Sequence, residues 1–524
     1  MPSAKCQVPG ASCHVPSPSQ LHQHQSLSFP ASARNVLAPL HPLTLVFTLV
    51  FLFALSPFPL SAQTEVSDFA RIGFSSFLTP IVSDYQCVGI NPANLGFVPQ
   101  TDLYELASPM GGGIERRRRD VSFSVAEGGV SLHSDALRRQ GLLDMITQTA
   151  SGSFTEADKR EAARAFIDKG VRFNIDVFIL GAAYQSQSWG GVAFAVRERI
   201  AGTYVFSEAA SALAFEGRYY DYFDSVAVNW AGDTVGYSTD PKTYSELFDG
   251  TRISTLWFRD LSVSYGIEVF KEEKMRVYVG ATAKYLMGYA YLDAFVEGGA
   301  LSARSAVSPI LGVTYGKATT PSFIPGNEFV PVGDGFGFDL GVTVAYDKFS
   351  LGLSVVDIGQ IEWDGNVFNA KDTILNGMSS TGFDSYNIFE EAQKITGEGN
   401  YFKWEGLDAA PSDLPSRFRV GAAYEWNSKW RFGLDAVIPF NQAAGAMGEP
   451  LISAGADWRP LPWLRVGAGL AGGGEMDFTI PIAATFSLFN GVWELGFQSR
   501  DIVTYLTEDS PVMSLVIGLA RIRL

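Results

Sequence analysis

Apolar side chains alternate with small or polar ones through long stretches of the chain. Phe336, Phe338, Leu340, Val342, Val344 and Tyr346 alternate with Gly337, Asp339, Gly341, Thr343 and Ala345. After a turn at Asp347-Lys348 the alternation resumes with Phe349, Leu351, Leu353 and Val355. The design returns at Phe418, Val420, Ala422, Tyr424 and Trp426, then, beyond a turn at Asn427 to Lys429, at Trp430, Phe432, Leu434, Ala436, Ile438 and Phe440. A strand points successive side chains to opposite faces, so each segment has one apolar face and one small or polar face. With aromatics at both ends of the apolar rows, this is the pattern of a strand crossing a bilayer, apolar toward lipid and polar toward a lumen.

The pattern predicts strands near 120–131, 170–184, 189–206, 252–270, 275–291, 335–346, 349–363, 416–426, 430–439, 450–459, 463–471, 477–488, 492–498 and 511–523. Short turns and long connections alternate between them. The short turns fall at 185–188, 271–274, 347–348, 427–429, 460–462 and 489–491; the long connections fall at 132–169, 207–251, 292–334, 364–415, 440–449, 472–476 and 499–510. Outer-membrane barrels have short periplasmic turns and long outer loops. The expected fold class is therefore all-β, a transmembrane antiparallel β-barrel of about fourteen strands with both ends periplasmic. Ser302 to Tyr315 also reads as a strand, but a full crossing there would put the Asp347-Lys348 turn on the outer side. A hairpin standing above the membrane is expected instead. Two added strands around 212–231 would keep the parity and raise the count to sixteen. A soluble all-β protein is the competing reading, but its one-sided apolar rows would need a second sheet to cover them.

The long loops are expected to be partly helical. Thr155-Glu156-Ala157-Asp158 resembles a capping box, with Gly170 as a stop and Leu137, Leu142, Leu143 and Ile146 as an amphipathic stretch before it. The loop 364–415 and the strand end before it carry Trp363, Phe368, Tyr386, Phe389, Tyr401, Phe402 and Trp404. These aromatics are candidates for capturing an apolar ligand; the competing reading is that they tie down a long loop. Residues 63–115 do not alternate. Asn91-Pro92-Ala93-Asn94 is a turn by its chemistry, and an irregular segment before a barrel can fold into the lumen, where side chains and water satisfy its backbone.

The N-terminus changes the picture of where the chain goes. Leu43 to Leu60 is almost wholly apolar and leads to Ser61-Ala62, which reads as a signal peptide with a small-residue cleavage site. The expected division is a presequence over 1–62, a plug over 63–115 and the barrel over 116–524. Residues 1–41 are long for such a leader, as a misassigned start codon would make them; an N-terminal membrane anchor is the alternative. The chain is acidic, at net −16, which disfavours nucleic acid as a partner. Arg116 to Arg119 is its one basic run, either solvated at the periplasmic mouth or in contact with acidic lumenal groups or lipid headgroups. Beyond the presequence only Cys87 and His133 remain of their types, so no disulfide framework, histidine-rich metal site or cofactor is expected. A lipid hydrolase would have to rely on His133 alone, with no nucleophile motif beside it.

Gly89 to Gly96, shortly after Leu78-Thr79-Pro80, resembles the N-terminal segment of barrels related to the long-chain fatty-acid transporter (FadL-like). Gly335 to Val342, Val356 to Trp363 and Leu414 to Gly421 are similar to an uncharacterised family, a domain of unknown function, of such barrels from Gram-negative outer membranes. The resemblance implies a fourteen-stranded barrel with a lumenal N-terminal hatch containing Asn91, Pro92, Ala93 and Asn94. It implies passage of hydrophobic small molecules, with outer-membrane lipid as surroundings. Related barrels also dock protein partners of the envelope, which is the alternative role for the long loops. The chain ends at Leu524 rather than at the aromatic residue that the barrel-assembly machinery commonly reads.

Overall fold

The computed structural model describes residues 71–99, 102, 104–107, 114–117, 119–134, 136–138, 154–186, 188–386, 402–474, 476–501, 506 and 512–524. The expected presequence lies outside the described residues, as do Leu142, Leu143 and Ile146.

Fourteen strands form the wall among the described residues. They are β1 (Val121–Ser134), β2 (Gly170–Ser186), β3 (Gly190–Val205), β4 (Arg252–Lys271), β5 (Met275–Glu297), β6 (Gly333–Tyr346) and β7 (Phe349–Trp363). The second half comprises β8 (Arg417–Glu425), β9 (Trp430–Pro439), β10 (Leu451–Leu461), β11 (Leu464–Gly473), β12, β13 (Trp493–Ser499) and β14 (Met513–Arg523). β12 runs as two pieces, Met476–Thr479 and Ile482–Leu488, because Pro481 has no amide to give the ladder. Neighbours in sequence pair antiparallel, and β14 returns to pair with β1, with Ile522 opposite Phe123. Closure leaves the wall without a free edge.

The alternation decides which side faces out. On β6, Phe336, Phe338 and Leu340 are more than half exposed, whereas Asp339 and Thr343 on the opposite face are fully buried. Aromatics collect at the short-turn end, where Trp189 stacks on Tyr265 and Trp430 on Trp458. An even-stranded closed barrel with an apolar exterior and an aromatic girdle is an outer-membrane protein of a Gram-negative envelope.

The long connections carry the remaining structure. Ala300–Val307 folds back on the outer end of β5 and continues to Val367–Lys371, so it is a hairpin standing on the wall. The stretch 212–231 adds no wall strand. Helix α2 (Glu208–Glu216) covers part of it, and Ser225–Val228 pairs with Thr234–Tyr237 in a separate three-stranded sheet. Helix α1 (Glu156–Ala165) starts at a capping box: Thr155 accepts from the Asp158 amide, and the Asp158 carboxylate accepts from the Thr155 amide at 2.8 Å. Phe166, Phe206 and Phe215 bind the two helices together.

Candidate functional site: a segment inside the lumen

Every residue from 71 to 95 is buried. Two single-turn helices, Asp84–Cys87 and Pro92–Leu95, give this segment shape, and Phe77, Leu78, Ile81, Val82, Cys87 and Ile90 form its apolar centre. That centre packs on Phe178, Ala183, Ala193, Ala195 and Ala423 of the wall.

Wall glycines make the room. Gly191, Gly266, Gly280 and Gly341 lie opposite one another across β3 to β6, and Gly433, Gly455 and Gly469 across β9 to β11. A side chain at Gly341 would collide with Asn91, and one at Gly433 with the Phe77 ring. The small inward residues are therefore the surface against which residues 71–97 pack.

The turn motif serves as a clamp. The Asn91 side-chain amide donates to the Thr79 carbonyl at 3.1 Å and to Thr343 Oγ1 at 2.9 Å. Asn94 donates to the same Thr79 carbonyl at 3.1 Å and accepts from Thr343 Oγ1 at 2.6 Å. Asn91 Oδ1 also accepts from the Ala93 amide, and Pro92 occupies a first-turn position where its missing donor costs nothing. Asn91-Pro92-Ala93-Asn94 and Leu78-Thr79-Pro80 are thus tied to each other and to β6. Ser354 Oγ on β7 donates to the Ile90 carbonyl at 2.5 Å.

Buried charges complete the attachment, and their pairing was not legible as a site in the sequence. Asp435 accepts from the backbone amides of Leu78 and Thr79 at 2.8 and 2.9 Å. Asp457 takes Arg431 at 2.6 Å and the Ser75 hydroxyl at 2.9 Å, and the Arg431 guanidinium lies over the Phe74 ring. Arg521 reaches Asp84 at 2.6 Å, and Glu127 binds Tyr85 and Gln86. Burial alone would raise the Asp102 carboxyl; Arg465 and Arg431 outweigh it and hold the group well below the usual range.

Toward the outer rim the charges condense around Asp357. Its carboxylate takes Arg199 through two bonds of 2.8 and 2.9 Å, Lys284 at 2.6 Å and Arg417 at 2.8 Å. Asp357 has φ +59, next to a register shift opposite Asp339, whose carboxylate accepts the Asp357 amide and pairs with Lys284 at 2.7 Å. Aspartate tolerates this left-handed conformation better than most residues. The available sequence signal was a charge at mid-strand on the face opposite the apolar row, on β6 at Asp339 and on β9 at Asp435.

Beyond the charges the inward faces turn apolar. Leu256 and Phe258 on β4, Leu286 on β5, and Ile361 and Trp363 on β7 form one buried cluster with Tyr291. On β4 and β5 the lumenal face is therefore layered from the periplasmic end: glycine, hydroxyl, charge, apolar. On β5 these layers are Gly280, Thr282, Lys284 and Leu286.

The described candidate loop aromatics are packed. Trp363 is fully buried, stacks on Tyr291 at 5.3 Å and donates to Ser412 at 2.8 Å. Phe368 stacks on Tyr315 at 4.0 Å, and the half-buried Trp404 meets the edge of the same ring. Phe402 stacks on Tyr244, and Tyr386 packs on Phe154 and Phe166. These contacts hold the loops down and divide the aromatics among different neighbours. Phe389 and Tyr401 lie outside the described residues. Of the basic run, Arg119 donates to the Arg523 and Asn490 carbonyls at the periplasmic end, Arg116 and Arg117 belong to a short strand paired with Tyr104–Ala107, and Arg118 is outside the described residues. His133 is buried on β1, opposite Arg172 in register.

A model of a family of unknown function (DUF5723) matches residues 125–480. No curated protein matches the chain. Among solved structures, a TodX monoaromatic hydrocarbon channel mutant aligns at 11% identity over 88% of this chain and 99% of its own, with a TM-score of 0.42. The toluene transporter TodX of Pseudomonas putida aligns at 11% identity over 88% and 99%, with a TM-score of 0.37. A FadL homologue of Pseudomonas aeruginosa aligns at 10% identity over 89% and 99%, with a TM-score of 0.36.

Proposed function

We propose that the chain, which belongs to the DUF5723 family of unknown function, is a passive outer-membrane channel for hydrophobic small molecules, with residues 71–97 as its hatch. The observation that carries this reading is the sequence of two environments along the lumen. An apolar layer faces the outer rim, and behind it the lumen is filled by a segment held through hydrogen bonds and ion pairs. Apolar pockets with a few placed polar groups are the usual receptors for small apolar ligands. A solute would enter through the loops, settle in the apolar layer and pass when the segment shifts. No group in this account performs chemistry, so the chain is read as non-catalytic.

Cys87 reports on the shift. It is fully buried, and burial, with Asp84 and Asp339 adding to it, pushes its thiol well above the usual range. In a variant with Cys6 and Cys13 replaced by Ser, maleimide labelling of Cys87 is expected to be slow in the folded barrel. It is expected to accelerate at least about tenfold when a bound apolar solute moves the segment. Binding of no apolar probe, together with an unchanged labelling rate, would remove the proposal.

One exposed feature favours a second reading, docking of an envelope protein through the loops. Trp230 is 99% exposed at a hairpin tip, beside exposed Val226 and Val228. Hydrogen bonds close the tip: Asn229 Oδ1 accepts from the amides of Ala231 and Asp233, both at 2.9 Å. Exposed Trp on a fixed turn is the usual anchor of an interface. A photoreactive residue in place of Trp230 is expected to crosslink one stoichiometric envelope protein in cells; absence of any such adduct counts against docking.

A further inference from the structure

At the periplasmic end of the lumen, five guanidinium groups converge on one cleft. They are Arg119, Arg459, Arg465, Arg521 and Arg523, from separate stretches of the wall and its N-terminal approach. Two carboxylates line the same cleft, and both are already shared. Asp102 takes Arg465 at 2.8 Å and Arg431 at 3.4 Å; Glu494 takes Arg521 at 3.0 Å and Arg523 at 3.6 Å. Among the described lining residues guanidiniums outnumber carboxylates by three, and by two when Asp84 behind Arg521 is counted. This is a local inversion in a chain of net −16.

Two of the positions lining the cleft carry no side chain. Its floor is bare backbone at Gly73 and Gly491, both at positive φ. A side chain at Gly73 would begin 3.5 Å from Arg465 Nη1, and one at Gly491 would begin 3.9 Å from the Arg119 guanidinium. Arg465, Arg521 and Arg523 lie on the lumenal faces of β11 and β14, while Trp463 and Trp493 nearby are exposed on the exterior. A second cleft continues from Arg459 and Arg465 to Lys429 and Arg431, extending the positive surface. Field lines from such a rim focus into the lumen mouth, which is walled by low-dielectric protein.

We infer that this cleft is a binding site for a phosphoryl oxyanion reaching the lumen from the periplasmic side. Planar guanidiniums match phosphate oxygens through paired N–H donors, and several together recognise a group of charge near −2 better than one of charge −1. The group could arrive as free phosphate or as the headgroup of an inner-leaflet phospholipid, since both present the same oxygens. The site borders the proposed hatch at Gly73 but does not need the passage of apolar solutes.

The test uses the full chain, first in neutral detergent with inorganic phosphate. Isothermal titration is expected to show saturable binding that falls with added salt. Arg459→Gln is expected to weaken it at least about tenfold, and Arg459→Lys, which keeps the charge without the fork, to weaken it less. Arg465→Gln is the second variant, with heat-shifted gel mobility confirming that each barrel is folded. If free phosphate does not bind, nanodiscs of phosphatidylglycerol and of phosphatidylcholine supply the headgroup. Native mass spectrometry retaining phosphatidylglycerol on the folded chain, and losing it in both variants, assigns the site to lipid. No binding of either probe, or binding that both variants leave unchanged, overturns the inference.

Discussion

Deleting residues 71–97 opens the interior of the wall to water. Ser354 shows the effect best: it is 3% exposed, and its hydroxyl donates to the Ile90 carbonyl of the segment being removed. With the Ser354→Cys change placed in a chain lacking Cys6, Cys13 and residues 71–97, a charged maleimide is expected to label the new thiol at least about a hundredfold faster than in the same chain with the segment present and Cys87 replaced. The wall itself should survive. Its backbone ladder closes on itself, and most of the buried wall charges have wall partners, as Asp457 has Arg431 and Asp357 has three cations. Asp435 loses the Leu78 and Thr79 amides but keeps Arg419 at 3.6 Å. Equal labelling rates in two chains that both show the folded gel band would mean that residues 71–97 do not fill the lumen.

Asp357→Ala carries the largest expected loss of stability from one residue. Four bonds of 2.6 to 2.9 Å from Arg199, Lys284 and Arg417 end on its carboxylate. Removing it leaves those cations buried with Asp339 bound to Lys284, and with Asp260 3.8 Å from Arg199. Taking one partner from a buried ion cluster costs about 3–5 kcal/mol, because the remaining charges keep their desolvation penalty. Guanidinium-chloride unfolding of the barrel from detergent should register that loss as a lower midpoint. Asp357→Asn should lose nearly as much, since shape is kept and charge is not. A loss under about 1 kcal/mol in both variants would show that water or a rearranged neighbour satisfies the cations.

Much of the wall was legible in the sequence because a strand encodes its two environments with a period of two. The turn at Asp347-Lys348 and the one at Asn427 to Lys429 sit between two alternating runs, and the wall strands meet there as expected. The parity of short turns also placed the Ser302 region above the membrane, where Ala300–Val307 pairs with the end of β5. The loop aromatics were less legible. Trp363 and Trp404 read alike in one dimension, yet Trp363 is fully buried and bonded to Ser412 while Trp404 is only half-buried. Whether a loop ring meets solute or protein depends on where the next loop lies, and no local pattern carries that.

The clamp and the charges divide in the same way. Asn91-Pro92-Ala93-Asn94 declared a turn by its own chemistry, but its partners, Thr79 and Thr343, are 12 and 252 residues from Asn91. By itself the sequence determined the sidedness of each strand and the Gly-rich inward face, because these follow from local periodicity; turn length gave about fourteen strands and left sixteen open. Only the tertiary structure decided that glycines from separate strands align into rows, that residues 71–97 fill the space they leave, and that Asp357 gathers cations from β3, β5 and β8. The physical reason is closure. Register between strands, and hence which lumenal groups share a level, is set when the last strand pairs with the first, and that long-range condition is written in no single segment.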